Sequence, residues 1–527
     1  MVYYKKRGSL PNRRFSTGWE PYLTTKNEWE IAMKRFTLLC ITIFCLLLPA
    51  QTLLAFAPAP PPPPPPQIDD GPDPGARVDR VYAPGGKGYL EYIITDSGHK
   101  QPFLHLEGSG YEMGFQQGYL IPQKCKAVAA KEFYLDLGTG MVGGAGIPVE
   151  PLLEPMADTL LEFLGLEVPD HLDTPDTSPA DLLLFAFKKI AVYNQRYIPR
   201  EYLDEMRGIA DGAKARGVDL SYEDVLLLNI GFDAFLSAGY PIMVSIVKGQ
   251  EIMDGLNLSC NAHILDGSAT VTDNLYFGRD FMFGGKGFSD HPVIIETRGD
   301  GGRNQMVNVT VAGMVGCIAG MNEKGLGIGM DMIPAMDCVP GNVGMGTLLT
   351  ARWVMEQADE LPEAVSMIGN SKRGAPWIYA IADGQGANRG GVSLEVSAHH
   401  YKARYLDHDQ NIFLPLVYDV DQQETYRDAL IQTNHYVTWK MQSTAVTYQD
   451  ASSVSRYDSM IDRLQQDYGT YDYNKAFDFI NWMYHENNQG SEDAVRQSTT
   501  LFDLTNLKMT SLAGPTFGEG ATTYKMP

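Results

Sequence analysis

"NLSCNAHILDGSATVTDNLYFGRDFMF", Asn257 to Phe283, is where the pattern of the chain changes. Ahead of Cys260 the apolar residues recur at helical spacing. After it, apolar and polar residues alternate around "DG" and "DN" turn signals, as strands joined by tight turns do. A cysteine therefore opens the strand system, with the small polar Ser259 before it and Arg279 and Asp280 at the far end of the run. A Ser-Cys bond can undergo an N-to-S acyl shift followed by hydrolysis, which would make Cys260 a new chain terminus. Its thiol would then attack as a nucleophile. Its own α-amino group, with a reference pKa of about 7.7 to 8.0, would serve as the base near neutral pH.

Outward from this point the chain divides in two. From about Tyr89 to Ile246 the pattern is mainly helical. "SPADLLLFAFKKIAVYNQRYIP" has Ser178 as N-cap, Pro179 in the first turn and Asp181 where a capping box needs it, and "SYEDVLLLNI" repeats the arrangement with Ser221 and Asp224. Beyond Cys260, "VIIETRGDGGRNQMVNVTVAG" and "VGCIAGMNEKGLGIGMDMI" read as further hairpins, and "WIYAIADGQGANRGGVSLEVS" as another strand pair. Helical stretches interrupt them at "GTLLTARWVMEQADELPEAVSMI" and "YNKAFDFINWMYHEN". Antiparallel sheets covered by helices are the architecture this order predicts.

The first part of the chain is of another kind. Phe36 to Ala57 is an uncharged apolar run behind Lys34 and Arg35, the form of an export signal. Met33 begins "MKRFTLLC", a signal-like start that makes residues 1–32 an upstream extension. "AFA" at Ala55 to Ala57 resembles a cleavage site, but Pro58 follows it, so an uncleaved membrane anchor is the other reading. The polyproline run behind it is a stiff spacer. The expected organisation is an extension with signal peptide or anchor over 1–57, a Pro-rich linker over 58–88, a mainly helical segment over 89–259 and a catalytic segment over 260–527. The expected location is outside the cytoplasm, in the periplasm or cell envelope, secreted or membrane-tethered.

Charge and cysteine content narrow the functions. With 42 Lys+Arg against 64 Asp+Glu the net charge is -22, which disfavours nucleic acid as a partner. Two of the 6 cysteines, Cys40 and Cys45, lie in the apolar run, and the remaining Cys125, Cys260, Cys317 and Cys338 are too few for a disulfide framework in a chain of this size. Cys317 reads as a core residue, Cys125 as helical and Cys338 as part of a loop. A Cys/His site could use His263, His291 or His435, and their spacing selects none of them. The Cys-x-x-His spacing of Cys260 and His263 lacks the second pair of a zinc finger. No metal and no cofactor are expected.

"CNAHILDGSATVTDNLYFGRDFMF" resembles the start of the catalytic chain of the N-terminal nucleophile (Ntn) hydrolases, closest to the autoproteolytic penicillin acyltransferase type. Bile salt hydrolase and acid ceramidase are more distant by the same pattern. Further stretches agree in order: "GMNEKGLGIGMDM" (Gly320 to Met332), "QTNHYV" (Gln432 to Val437), "SSVSRYDSM" (Ser452 to Met460) and "TSLAGPTFGEG". Ahead of the cysteine, "GSGYEMGFQQG" and "EMRGIADGA" are similar to segments of the family's proregion-derived chain. The resemblance spans about Leu104 to the C-terminus and implies a four-layer αββα sandwich of antiparallel sheets.

It also implies roles. Cys260 would be the nucleophile and Ser259-Cys260 the self-cleavage bond. Asn434 would donate to the oxyanion, and Arg279 and Arg456 would lie around the nucleophile, favouring thiolate. Where the family commonly has an aspartate that orients the nucleophile's amine, this chain has Met282. Asp280 is the neighbouring substitute, although strand alternation points it to the other face. Asp331 falls near a second oxyanion-side position, where only its backbone is expected to contribute. The implied activity is hydrolysis or transfer of an acyl group from a small N-acyl amide, by two cleaved chains that stay associated. Hydrolysis is favoured over transfer from coenzyme A, because that thioester is scarce outside the cytoplasm and the chain is acidic. A lipid amidase or phospholipase-B-like hydrolase at the membrane, and a non-catalytic envelope binding protein on the same fold, are the alternatives.

Overall fold

The computed structural model describes residues 77–95, 98, 100–143, 149–246, 259–284, 287–333, 335–406, 427–444, 451–487, 494–513 and 521–526. All of them belong to one unit, 59–527. The apolar run at 36–57 and the polyproline stretch lie outside the described residues.

The first sheet contains β1 (Arg77–Tyr82), β2 (Tyr89–Ile94), β3 (Lys100–Gly108), β6 (Pro292–Gly299), β7 (Met306–Val311), β8 (Ala319–Asn322), β9 (Leu326–Met332), β10 (Trp377–Asp383), β11 (Gly390–Val396) and β12 (Tyr401–Tyr405), hydrogen-bonded in that order. The second runs β13-β4-β5-β14-β15-β16 and comprises β4 (Asn261–Leu265), β5 (Tyr276–Gly284), β13 (Ala429–Thr433), β14 (Ala494–Asp503), β15 (Lys508–Ala513) and β16 (Thr522–Lys525). Between the sheets lies an apolar layer that includes Ala262, Ile264, Phe277, Val307, Val309 and Ala380. Strand alternation explains its membership, since residues two apart share a face.

Helices form the outer layers. They are α1 (Gly110–Leu120), α2 (Pro122–Ala127), α3 (Lys131–Gly143), α4 (Glu150–Leu164), α5 (Pro179–Asn194), α6 (Arg200–Ala215), α7 (Tyr222–Ala234) and α8 (Tyr240–Ile246) before Cys260. After it come α9 (Gly287–Asp290), α10 (Thr347–Gln357), α11 (Leu361–Asn370), α12 (Trp439–Thr444), α13 (Ala451–Asp467) and α14 (Tyr473–Asn487). Val354 and Met355 of α10 and Ile368 of α11 pack with Ile328, Met330 and Tyr379 of the first sheet, while Tyr457, Phe477 and Ile480 of α13 and α14 pack on the second. The order of layers is thus helix, sheet, sheet, helix, as expected.

Local signals set the helix starts. The Ser178/Asp181 and Ser221/Asp224 capping boxes form as the sequence predicts, and Ser109 with Glu112 makes another at α1. The glycines of "GSGYEMGFQQG" let α1 meet α6 backbone to backbone: a Cβ at Gly114 would lie 1.8 Å from the Glu205 carbonyl oxygen. Helix α7 continues through a π turn (Phe235–Gly239) into α8. Tyr222–Ile246 is long and apolar enough to cross a bilayer, but 83% of its most apolar window is buried within the fold, as suits a core helix.

Two details go beyond the expected architecture. The named strands pair antiparallel except at one join, where β3 pairs in parallel with β6, Phe103 opposite Ile294 through Gly108 opposite Gly299. The segment 89–259 also supplies β2 and β3 to the first sheet, and β1 begins at Arg77, inside the stretch read as linker. The helical segment is therefore sewn into the sandwich instead of standing apart as a domain.

Candidate active site

Cys260 sits at the edge of β4, buried, on the face that looks toward the first sheet with Ala262 and Ile264. Its Sγ donates to the Met282 carbonyl at 3.4 Å. Burial pushes the thiol pKa up; the Arg279 charge opposes that rise and Asp331 adds to it.

Arg279 reaches from β5 across the gap between the sheets. "GLGIGMDM" makes the room, because Gly327 and Gly329 leave the β9 face open: a Cβ on Gly329 would lie 2.8 Å from Arg279 Cδ. The guanidinium donates to the carbonyls of Asn261, Asp280 and Met330. It also forms an ion pair with Asp331 at 3.0 Å, with both side chains wholly buried. Asp331 Oδ2 accepts from Gln432 Nε2 at 2.8 Å. The Asp331 side chain is therefore part of the cluster, where only its backbone was expected to be.

The opposite face of β4 carries Asn261, and here α13 closes in. Arg456 Nη1 donates to the Cys260 carbonyl at 2.8 Å and to Asn261 Oδ1 at 2.6 Å, and Nη2 donates to Asn434 Oδ1 at 3.1 Å. Asn434 Nδ2 donates to the Met332 carbonyl at 2.8 Å. Asp280 points to this face, as alternation predicts: it accepts from Asn261 Nδ2 at 3.2 Å and from Thr499 Oγ1 at 2.8 Å. Asp280 thus holds the side chain of Asn261, opposite it across the β4–β5 pair.

The structure brings Ser259, Cys260, Arg279, Asp280, Asp331, Asn434 and Arg456 into one hydrogen-bonded cluster spanning both sheets. Sequence reading did not single out Asn261 or Gln432. The available signal was a polar residue at alternate positions of otherwise apolar strands.

The histidines lie differently. His263 stacks on Phe479 with ring centroids 5.0 Å apart, and burial lowers its pKa to about 3. His435 bonds through Nδ1 to Ser453 Oγ at 2.9 Å, and burial, helped by the charges of Arg456 and Arg404, lowers it to about 3. Burial also lowers His291, with Lys124 contributing. Two of the three are held firmly neutral, and the Cys260 thiol bonds to the Met282 carbonyl and the Arg279 guanidinium. Among the described residues no group of His, Cys, Asp and Glu is arranged to hold a metal ion.

An apolar cavity of about 160 Å3 lies among the helices that precede Cys260. Its walls come from α3, α4, α5 and α7, with Leu152, Met156, Leu183, Leu228 and Phe232 among them, and from Phe283 of β5. Phe283 directly follows Met282, whose carbonyl receives the Cys260 thiol.

Residues 304–513 match the family described as Acyl-coenzyme A:6-aminopenicillanic acid acyl-transferase. This stretch carries that family's pattern. An uncharacterized protein of Archaeoglobus fulgidus is 38% identical over 426 residues, covering 80% of this chain and 65% of its own length. Protein dcd1A of Dictyostelium discoideum is 22% identical over 376 residues, covering 70% of this chain and 76% of its own. Among solved structures, an N-acylethanolamine-hydrolyzing acid amidase ortholog of Caenorhabditis elegans is 14% identical with a TM-score of 0.33, covering 51% of this chain and 100% of that one. A penicillin V acylase of Agrobacterium tumefaciens is 12% identical with a TM-score of 0.34, covering 51% and 86%. Over residues 304–513 the chain is thus similar to the acyl-transferase family.

Proposed function

We propose that this protein is a self-processing cysteine amidase that hydrolyses small N-acyl amides with an apolar acyl group. The observation that carries the reading is the convergence of Arg279, Asp331 and Arg456 on Cys260 and its adjoining peptide bonds, with Asn434 bonded to Arg456. After cleavage at Ser259-Cys260, the freed α-amine takes the thiol proton and the thiolate attacks the amide carbonyl. Asn434 is held by Arg456 at Oδ1 and by Met332 through one N-H, which leaves its second N-H for the developing oxyanion. The protonated amine then gives its proton to the leaving amine, and water resolves the acyl-enzyme. Parallel pairing of β3 with β6 gives the two cleaved chains a shared sheet.

The cavity beside Phe283 favours an acyl group of fatty character. It supports the lipid-amidase form of this reading, at a membrane to which the Phe36 to Ala57 run would export or tether the protein. Hydrolysis is preferred to acyl transfer from coenzyme A because the protein carries a net charge of -22.

A series of N-acyl amides of rising chain length tests this. Each methylene buried contributes about 0.8 kcal/mol, so kcat/KM rises about fourfold per methylene until the cavity is full. A flat profile, or faster turnover of short polar acyl groups, contradicts the apolar-acyl reading.

A further inference from the structure

We propose that Asn261 is a catalytic residue of the self-cleavage step, donating the hydrogen bond that stabilises the oxyanion formed on Ser259. This rests on the reading of Ser259-Cys260 as the bond the protein cuts. Asn261 Nδ2 donates to the Ser259 carbonyl oxygen at 3.0 Å, and that oxygen belongs to the peptide bond in question.

The amide is fixed in this sense by its neighbours. Its other N-H faces Asp280 Oδ2 at 3.2 Å, and its oxygen faces the Arg456 guanidinium at 2.6 Å. Turning the group over would set oxygen against carboxylate and NH2 against guanidinium, so charge alone selects the donor orientation. Asp280 is itself anchored by Thr499 Oγ1 at 2.8 Å. Asn261 is fully buried, which removes competing water from the bond it makes. The arrangement also gives Asp280 a task that its position on the outer face allows: it aims the side chain of Asn261.

In the step itself, Cys260 Sγ bonds to the Ser259 carbonyl carbon and the carbonyl π pair moves onto oxygen, closing a thiazolidine ring. Charge grows on the atom that Asn261 already touches. The C-N bond then breaks with its electron pair passing to the Cys260 nitrogen, which takes the proton lost by the thiol. The product is a thioester with a free α-amine. Water adds to the same carbon, the same oxygen again bears the charge, and the C-S bond breaks. The sulfur recovers a proton, and Ser259 is left as a carboxylate. Arg456, bonded to the Cys260 carbonyl at 2.8 Å, holds the next peptide plane still throughout.

The test follows self-cleavage of the full chain by intact mass over time after cell-free synthesis, for wild type, Asn261→Ala and Asn261→Asp, with folding checked by circular dichroism. Loss of a single oxyanion donor slows such a step by about 100- to 1000-fold, and that deficit is expected in both variants. Asn261→Asp keeps the shape and the acceptor for Arg456 but has no N-H, so it decides the matter if Asn261→Ala does not fold. Its deficit against wild type also shrinks as pH is lowered, because a protonated carboxyl regains a donor; a purely structural role gives no such dependence. Folded variants that cleave at the wild-type rate overturn the proposal. Wild type that stays uncut instead overturns the self-processing reading beneath it.

Discussion

Arg456 donates from Nη1 to the carbonyl oxygen of Cys260 at 2.8 Å, so one helix of the outer layer holds the first peptide of the strand that carries the nucleophile. The same guanidinium serves Asn261 and Asn434. Arg456→Ala leaves these buried acceptors unpaired, at about 1 to 3 kcal/mol each. Thermal melting is expected to show a fall in stability, and self-cleavage and turnover are expected to be lost together. Arg456→Lys keeps the charge but not the fork that spans these acceptors, so it should recover stability more than activity.

The pH dependence of processing follows from the charges facing Cys260. Burial raises the thiol pKa, Arg279 lowers it and Asp331 raises it further. Since thiolate is the attacking form, the wild-type rate is expected to climb with pH through and beyond the ordinary thiol range of about 8.5. Asp331→Asn removes a negative charge and shifts the profile to lower pH, whereas Arg279→Gln shifts it to higher pH. Cleavage rates across pH for the three proteins read out both signs.

Acid stability tests the neutral histidines. His263 and His435 are lowered to about 3 in the fold, against about 6.5 unfolded. A depressed folded value means that the unfolded chain binds protons first, so this stability is present above about 6.5 and is lost as pH falls toward 3. Melting temperatures between those limits should fall less steeply for His263→Leu than for wild type. Equal slopes would contradict a neutral His263.

Close backbone approach at α1 and α6 predicts a severe effect from a single methyl group. A Cβ at Gly114 lies 1.8 Å from a backbone oxygen that cannot swing away. Gly114→Ala is expected to cost about 3 kcal/mol or more, the upper end for overpacking. Gly138→Ala in α3 meets nothing within 4 Å and should gain up to about 1 kcal/mol in helix propensity. Denaturant unfolding of the two variants compares them.

Much of this was legible in the chain because its signals are local. Ser178/Asp181 and Ser221/Asp224 form the caps their spacing predicts, and the "NEKG" hairpin joins β8 to β9. What escaped reading was long-range. Nothing within 100–108 announces a parallel partner at 292–299, since pairing depends on a crossover through all the intervening helices. At the site, Cys260, Asn434 and Arg456 belong to motifs that a resemblance marks. Asn261 and Gln432 matter through what lies opposite them across the fold, and a neighbour in space leaves no trace in spacing. Asp280 shows a middle case: alternation correctly turned it away from Arg279, but its partner became visible only with β4 and β5 paired.

The central claim is that Cys260 becomes a chain terminus, and intact mass with N-terminal sequencing of the purified protein beside Cys260→Ala tests it most directly. Two fragments in wild type, one beginning Cys-Asn-Ala-His, with a single uncut chain in the mutant, are the predicted result. An uncut wild-type chain, or the same cleavage in Cys260→Ala, would contradict it.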